Sequence, residues 1–131
     1  MARQAVNPDG MAKPVGPYSN VVTSPPGKLV FVAGQVALDA DGNIVGAGDV
    51  AAQTKQVMEN VRLALEAAGA GFEDVVKIVN YITDVNEFPK MFEVRKQYLR
   101  EPFPTSTLVE VPALMYPELM IEIEVMAVVA D

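Results

Sequence analysis

Apolar residues recur along this chain with two different periods, and the changes between them mark out its elements. In residues 28–34, Leu29, Phe31 and Ala33 fall on one side of an extended segment and Val30 and Val32 on the other, predicting a strand with both faces apolar. Residues 39–42, Asp-Ala-Asp-Gly, read as a tight turn or hairpin. The period then becomes helical: Val50, Val57, Val61, Ala64, Leu65 and Ala68 form a stripe opposite Gln53, Lys55, Gln56, Glu59 and Arg62. A helix is therefore expected from an Asp49 N-cap to Gly69, where glycine ends it. A strand follows over residues 75–83, VVKIVNYIT, and a second helix over about 87–99, with Asn86 as cap and Pro89 in its first turn. The last strand, residues 119–129, carries Leu119, Ile121, Ile123, Val125, Ala127 and Val129 on one face. Met120, Glu122, Glu124, Met126 and Val128 share the other.

Two helices cover one side of a sheet of four to six strands, yet the strands are apolar on both sides. A large bare apolar patch is rare on a monomer, so self-association is expected to cover the second side. Residues 1–13 are polar and aperiodic and are expected to be irregular, and the whole of 1–131 fits one domain.

Composition narrows the chemistry. The chain has no histidine and no cysteine, which removes disulfides, thiolate and imidazole metal ligands and a cysteine nucleophile, so neither metal nor cofactor is expected. Carboxylates, lysine, tyrosine, hydroxyls and backbone groups remain. A net charge of -7 opposes a phosphate backbone and argues against a nucleic-acid partner. No apolar run reaches the ~18 residues of a membrane span, and no apolar segment follows Arg3, so the cytosol is the expected compartment. Fragments such as Asp39-Ala40-Asp41-Gly42-Asn43 and Gly46-Ala47-Gly48 lack the rest of a calcium or dinucleotide loop.

Several dispersed motifs carry a family likeness: Gly16-Pro17-Tyr18, Phe31-Val32-Ala33-Gly34-Gln35, the helix-then-strand run over 51–85, and PTSTLVEVPALMYPELMIEIE over 104–124. From Gly16 onward the chain resembles the reactive intermediate deaminase (Rid) family, whose enzymes hydrolyse enamines and imines. The resemblance implies an α+β subunit of the chorismate-mutase type. Its mixed sheet carries two helices on one face, and the other face is buried in a homotrimer with a small-molecule cleft at each subunit interface. Family members have also been described as ribonucleases, a reading that the acidic charge and missing histidines do not support.

The resemblance also implies roles for single residues. Glu122 matches the glutamate that orients the attacking water, and amid Ile121, Ile123 and Val125 its carboxyl pKa would rise if buried. Tyr18 matches a tyrosine lining the cleft, though a turn tyrosine packed on the core fits the local sequence equally. Gly34 matches a glycine whose backbone approaches the ligand, and Ala33 stands where serine is frequent. Ser106 occupies the place of the arginine that grips the substrate carboxylate, with Thr107 beside it at the cleft entrance. Leu108 stands for a frequent cysteine and Phe92 for an asparagine. These departures predict a more apolar, less cationic cleft and a neutral or less polar ligand, because a hydroxyl does not replace a forked, charge-assisted pair. Arg95, three residues beyond Phe92, either supplies a cation from another wall or sits on a solvated face beside Lys96 and Arg100. Function then divides between an imine or enamine hydrolase and a trimer that binds a small metabolite without turning it over.

Overall fold

In chain order the computed structural model, which describes residues 3–131, has strands β1 (Gln4–Val6), β2 (Val21–Thr23) and β3 (Gly27–Gln35), helix α1 (Val50–Ala67), strand β4 (Val75–Ile82), helix α2 (Phe88–Arg95), and strands β5 (Thr105–Glu110) and β6 (Ile121–Ala130). The main sheet runs β3-β6-β4-β5. Its β3/β6 and β6/β4 pairs are antiparallel and β4/β5 is parallel, so the sheet is mixed and β3 and β5 are its edges. The α+β class with a mixed sheet and two helices is as expected.

Helix α1 forms where its apolar stripe predicts. The Asp49 carboxylate accepts the Ala52 amide hydrogen at 3.1 Å, and Val57, Val61 and Leu65 are fully buried on the sheet side. Gly69, at φ 75°, turns the chain out of the helix. Gln53 departs from the expected pattern. It is fully buried, donating to the carbonyls of Gly46 (3.1 Å) and Glu118 (2.8 Å) and accepting from the Met120 amide (2.8 Å). It thus ties the loop before α1 to the chain entering β6. The last strand begins at Ile121, two residues later than expected, with Thr83 N–H still donating to the Met120 carbonyl at 3.0 Å.

Three further boundaries differ from the sequence expectation. Asp84, not Asn86, supplies the cap before the second helix: its carboxylate accepts the Asn86 amide hydrogen at 3.0 Å and starts a 3-10 turn, Val85–Glu87. The helix proper covers Phe88–Arg95 and passes into a second such turn, Lys96–Tyr98. Within residues 1–13, of which 1 and 2 lie outside the described residues, Gln4–Val6 is a strand rather than irregular chain. The cause is Arg3, whose guanidinium is buried and donates to the carbonyls of Pro102 (2.6 Å), Phe72 (3.0 Å), Arg100 (3.0 Å) and Glu73.

The two faces of the sheet differ sharply. Val30, Val32, Ile78, Ile82, Ile121, Ile123, Val125 and Ala127 are buried beneath the helices. On the opposite face Phe31 is 71% exposed and Leu29 57%. Phe31, Lys77, Val79, Tyr81, Glu124 and Met126 line an open depression of about 620 Å3 there. Among the described residues no helix is long and apolar enough to cross a membrane.

Replacing Gln53 by leucine keeps the volume but removes the side-chain partners of two partly buried carbonyls and one amide. The expected loss is about 3 kcal/mol of unfolding free energy, read by urea denaturation at one fixed protein concentration.

Candidate functional site

The residues singled out by motif fall into two groups, one at each edge of the sheet. At the β3 edge the ladder with β6 slips between Val32 and Gln35, so Ala33 and Gly34 sit in an irregular stretch. Glu122, half-buried near the start of β6, lays its side chain across this stretch. A Cβ on Gly34 would lie 1.9 Å from Glu122 Oε2 and 2.9 Å from its Cγ. Gly34 is therefore required by space: only a residue without a side chain leaves room for the Glu122 carboxylate against the strand. Ala33 beside it is exposed.

Glu124, two residues along the same face, has different surroundings. Its Oε1 accepts the Tyr81 hydroxyl at 2.8 Å. That hydrogen bond, with partial desolvation and the charges of Glu124 and Glu122, holds the Tyr81 phenol above its ordinary pKa. Glu122 and Glu124 are half-buried rather than enclosed. Along this face the acids lie beside Tyr81, Val79 and Lys77.

At the β5 edge the Gly16–Tyr18 turn is fixed by its own backbone and by the sheet. Tyr18 N–H donates to Gly16 O at 2.8 Å, and Ser19 bridges to Thr105 with Ser19 N–H donating to Pro104 O at 3.0 Å. A Cβ on Gly16 would lie 3.4 Å from the Phe92 ring of α2, which brings the turn and that helix into contact. Tyr18 is half-buried and its hydroxyl oxygen accepts from Val15 N–H at 3.4 Å. Together with Asn7, Pro14 and Phe103 it lines a recess of about 380 Å3.

Ser106 and Thr107 point to opposite faces of the sheet. Parallel pairing sets Ser106 opposite Ile78 and Leu108 opposite Asn80, on the helix-covered side, whereas Thr107 pairs with Val79 on the open side. Asn80 Nδ2 donates to Ser106 Oγ at 2.9 Å and to Thr107 O at 2.8 Å. Asn80 had no place in the sequence reading, though its position gives it away: it interrupts the buried alternation Ile78, Asn80, Ile82 with an amide. Arg95 is not on a solvated face. It has no exposed surface, and its guanidinium carbon lies 4.8 Å from the centre of the Phe92 ring. Burial lowers its pKa to about 10. Lys96 and Arg100, the neighbours grouped with it by sequence, are exposed.

The structure thus brings together Tyr18, Phe92 and Arg95 beside the start of β5, and separately Ala33, Gly34 and Glu122 beside β3. It does not bring the two sets together within one chain. The edge strands are roughly 14 Å apart at ordinary strand spacing, and Ser106 and Glu122 lie on opposite faces.

Gly34→Ala tests the packing of the acid. We expect the variant to fold, with a melting temperature within about 5 °C of the parent, while the Glu122 side-chain carboxyl shows a changed 13C resonance.

Known proteins share this sequence pattern and fold. The family model described as endoribonuclease L-PSP matches residues 10–129. A RutC family protein of Pyrococcus abyssi is 40% identical over 127 residues, covering 97% of this chain and 98% of that protein. The human protein named 2-iminobutanoate/2-iminopropanoate deaminase is 34% identical over 114 residues, covering 87% of this chain and 81% of its own. Among solved structures, the Rid-family protein YyfB of Yersinia pestis superposes with a TM-score of 0.91 at 34% identity, covering 98% of this chain and 100% of that one. RidA from an Antarctic Psychrobacter gives 0.73 at 33%, covering 96% and 99%. With a fold, a motif set and sequence matches that all run nearly end to end, the chain belongs to the Rid family, the YjgF-like family of the endoribonuclease L-PSP model.

Proposed function

We propose that this chain works as a homotrimer and hydrolyses a small imine or enamine in clefts formed between subunits. The observation that carries the reading is the division of the motif residues between opposite edges and faces of one sheet. A second copy, docking its β3 edge against the β5 edge of the first, would assemble a complete site. The open face with Phe31 and Leu29 supplies the apolar surface for that contact. Relatives named 2-iminobutanoate/2-iminopropanoate deaminase give the reaction class.

In this reading water adds to the carbon of the C=N bond while the π electron pair moves to nitrogen. Glu122 takes a proton from the water and returns it to nitrogen, and the carbinolamine collapses to a carbonyl compound and ammonia. An enamine first gains a proton at carbon to become the imine. The Gly34 backbone lies beside the attacking water, and Tyr18 encloses the substrate from the facing subunit. An iminium carbon is already electrophilic, so a held water in a partly dry site supplies much of the rate. A binding function without turnover is favoured by the hold of Asn80 on Ser106, the residue to which the resemblance assigns the place of the substrate-gripping arginine. The ribonuclease sense of the family name finds no support in a chain of net charge -7 without histidine.

Imines generated in situ by an amino-acid oxidase test the reading. The protein is expected to accelerate keto-acid release, and Glu122→Gln to slow it by about 100-fold or more. Mixed trimers of Glu122→Gln and Tyr18→Ala chains, each impaired alone, should recover about one quarter of the parent activity, the fraction of interfaces joining two intact walls. Saturable binding with no acceleration would move the protein to the binding reading. Separately, Phe31→Asp is expected to sediment as a monomer at low micromolar concentration with an unchanged far-ultraviolet spectrum. A trimer retained by that variant would remove the open face from the assembly.

A further inference from the structure

Among the described residues, two buried side chains carry polar atoms without a hydrogen-bond partner: Asn80, through its amide oxygen, and Arg95, through all three guanidinium nitrogens. A buried guanidinium ordinarily finds a carboxylate or several carbonyls, because an uncompensated charge in the interior opposes folding. The buried Arg3 of this same chain does so, with four carbonyl acceptors. Arg95 has none. An apolar side chain of similar length would fill the same space at no electrostatic cost, so packing alone does not account for an arginine there.

Its position suggests what the charge is for. Arg95 lies against the Phe92 ring, which is half-buried and faces the Gly16–Tyr18 turn beside the start of β5. Asn80 Oδ1, the other unpartnered atom, lies on the same helix-covered side of the sheet, beside Ser106. The resemblance puts the family's arginine at Ser106, and this chain holds a cation behind Phe92. We infer that Arg95 is the anion receptor of the cleft: the carboxylate of a small ligand turns the Phe92 ring aside and pairs with the guanidinium. The ligand is then a small carboxylic acid rather than the neutral compound that Ser106 by itself predicts. This rests on reading the β5 wall as part of a ligand cleft, and does not require that the cleft be catalytic.

Binding of stable compounds separates this from hydrolysis. The parent, Arg95→Met, Arg95→Lys and Phe92→Ala are titrated with 2-oxobutanoate and with its neutral amide, and each protein is melted without ligand. Arg95→Met is expected to melt no lower than the parent, since it removes an unpaired buried charge. It should lose about 10- to 100-fold in affinity for the carboxylate while its affinity for the amide stays within about threefold. Phe92→Ala should bind the carboxylate at least as tightly as the parent. Should the methionine variant fail to fold, Arg95→Lys decides: retained charge with a single contact point should leave carboxylate binding between about 3- and 30-fold weaker. Equal carboxylate binding by the parent and the folded Arg95 variants overturns the inference, as does a parent that binds neither compound. A parent that binds 2-oxobutanoate through Arg95 yet hydrolyses no imine leaves the inference standing and removes the enzymatic reading.

Discussion

One constraint organises this molecule: a four-stranded sheet whose helices all lie on one side. Every strand alternates, so burying Val30, Val32, Ile78, Ile82, Ile121, Ile123 and Val125 under the helices necessarily turns Leu29, Phe31, Val79, Tyr81 and Met126 the other way. The residues that do not fit this apolar face are the acids Glu122 and Glu124 and the cation Lys77. A face that is apolar enough to associate and charged at defined points favours one docking geometry over general stickiness. The same alternation separates Ser106 from Thr107, and the motif residues lie at two edges, so in the proposed trimer assembly and site formation would follow from a single sheet.

At the β3 edge the local chemistry depends on an absence. The ladder slips beside Gly34, and the missing side chain there is occupied by the Glu122 carboxyl. The acid is thereby set against the strand, with no side-chain hydrogen-bond partner among the described residues. Its neighbour Glu124, tied to Tyr81, is committed to the sheet. Two glutamates two residues apart on one strand thus acquire different availability from what lies across from them, a distinction that spacing alone does not contain.

Much of the fold is legible in the sequence because its core is built from clean periodicities. The stripe of α1 and the alternation of β3, β4 and β6 each identify their element within two or three residues. The failures have physical reasons. Gln53 occupies a stripe position, three residues after Val50 and four before Val57, but polarity argues for solvent and only the loops it joins explain its burial. Strand β5, TSTLVE, has little apolar alternation because it is a parallel edge strand, partly exposed on both sides. Strand β1 exists because Arg3 anchors it to loops some 70 to 100 residues away. Of the site, the motif residues were found by resemblance, while Asn80 was missed and the burial of Arg95 had to come from the structure. Position 95 follows Met91 by four residues on the inward face of a short helix, and charge hid that spacing.

Both misread side chains, Gln53 and Arg95, are buried polar groups on helices, and they differ in one respect that separates structure from function. Gln53 has every polar atom satisfied, so its burial is explained by the loops it holds. Arg95 and the oxygen of Asn80 are unsatisfied, so theirs is not. Among the described residues, orphaned buried side-chain atoms on these two residues carry a local cost that folding alone gives no reason to keep. Under the proposal that Arg95 receives the ligand's carboxylate, the cation that the resemblance puts at position 106 is supplied instead from behind Phe92. On that proposal a ligand would first displace a ring, and selectivity would rest on shape at Phe92 before charge at Arg95 is felt.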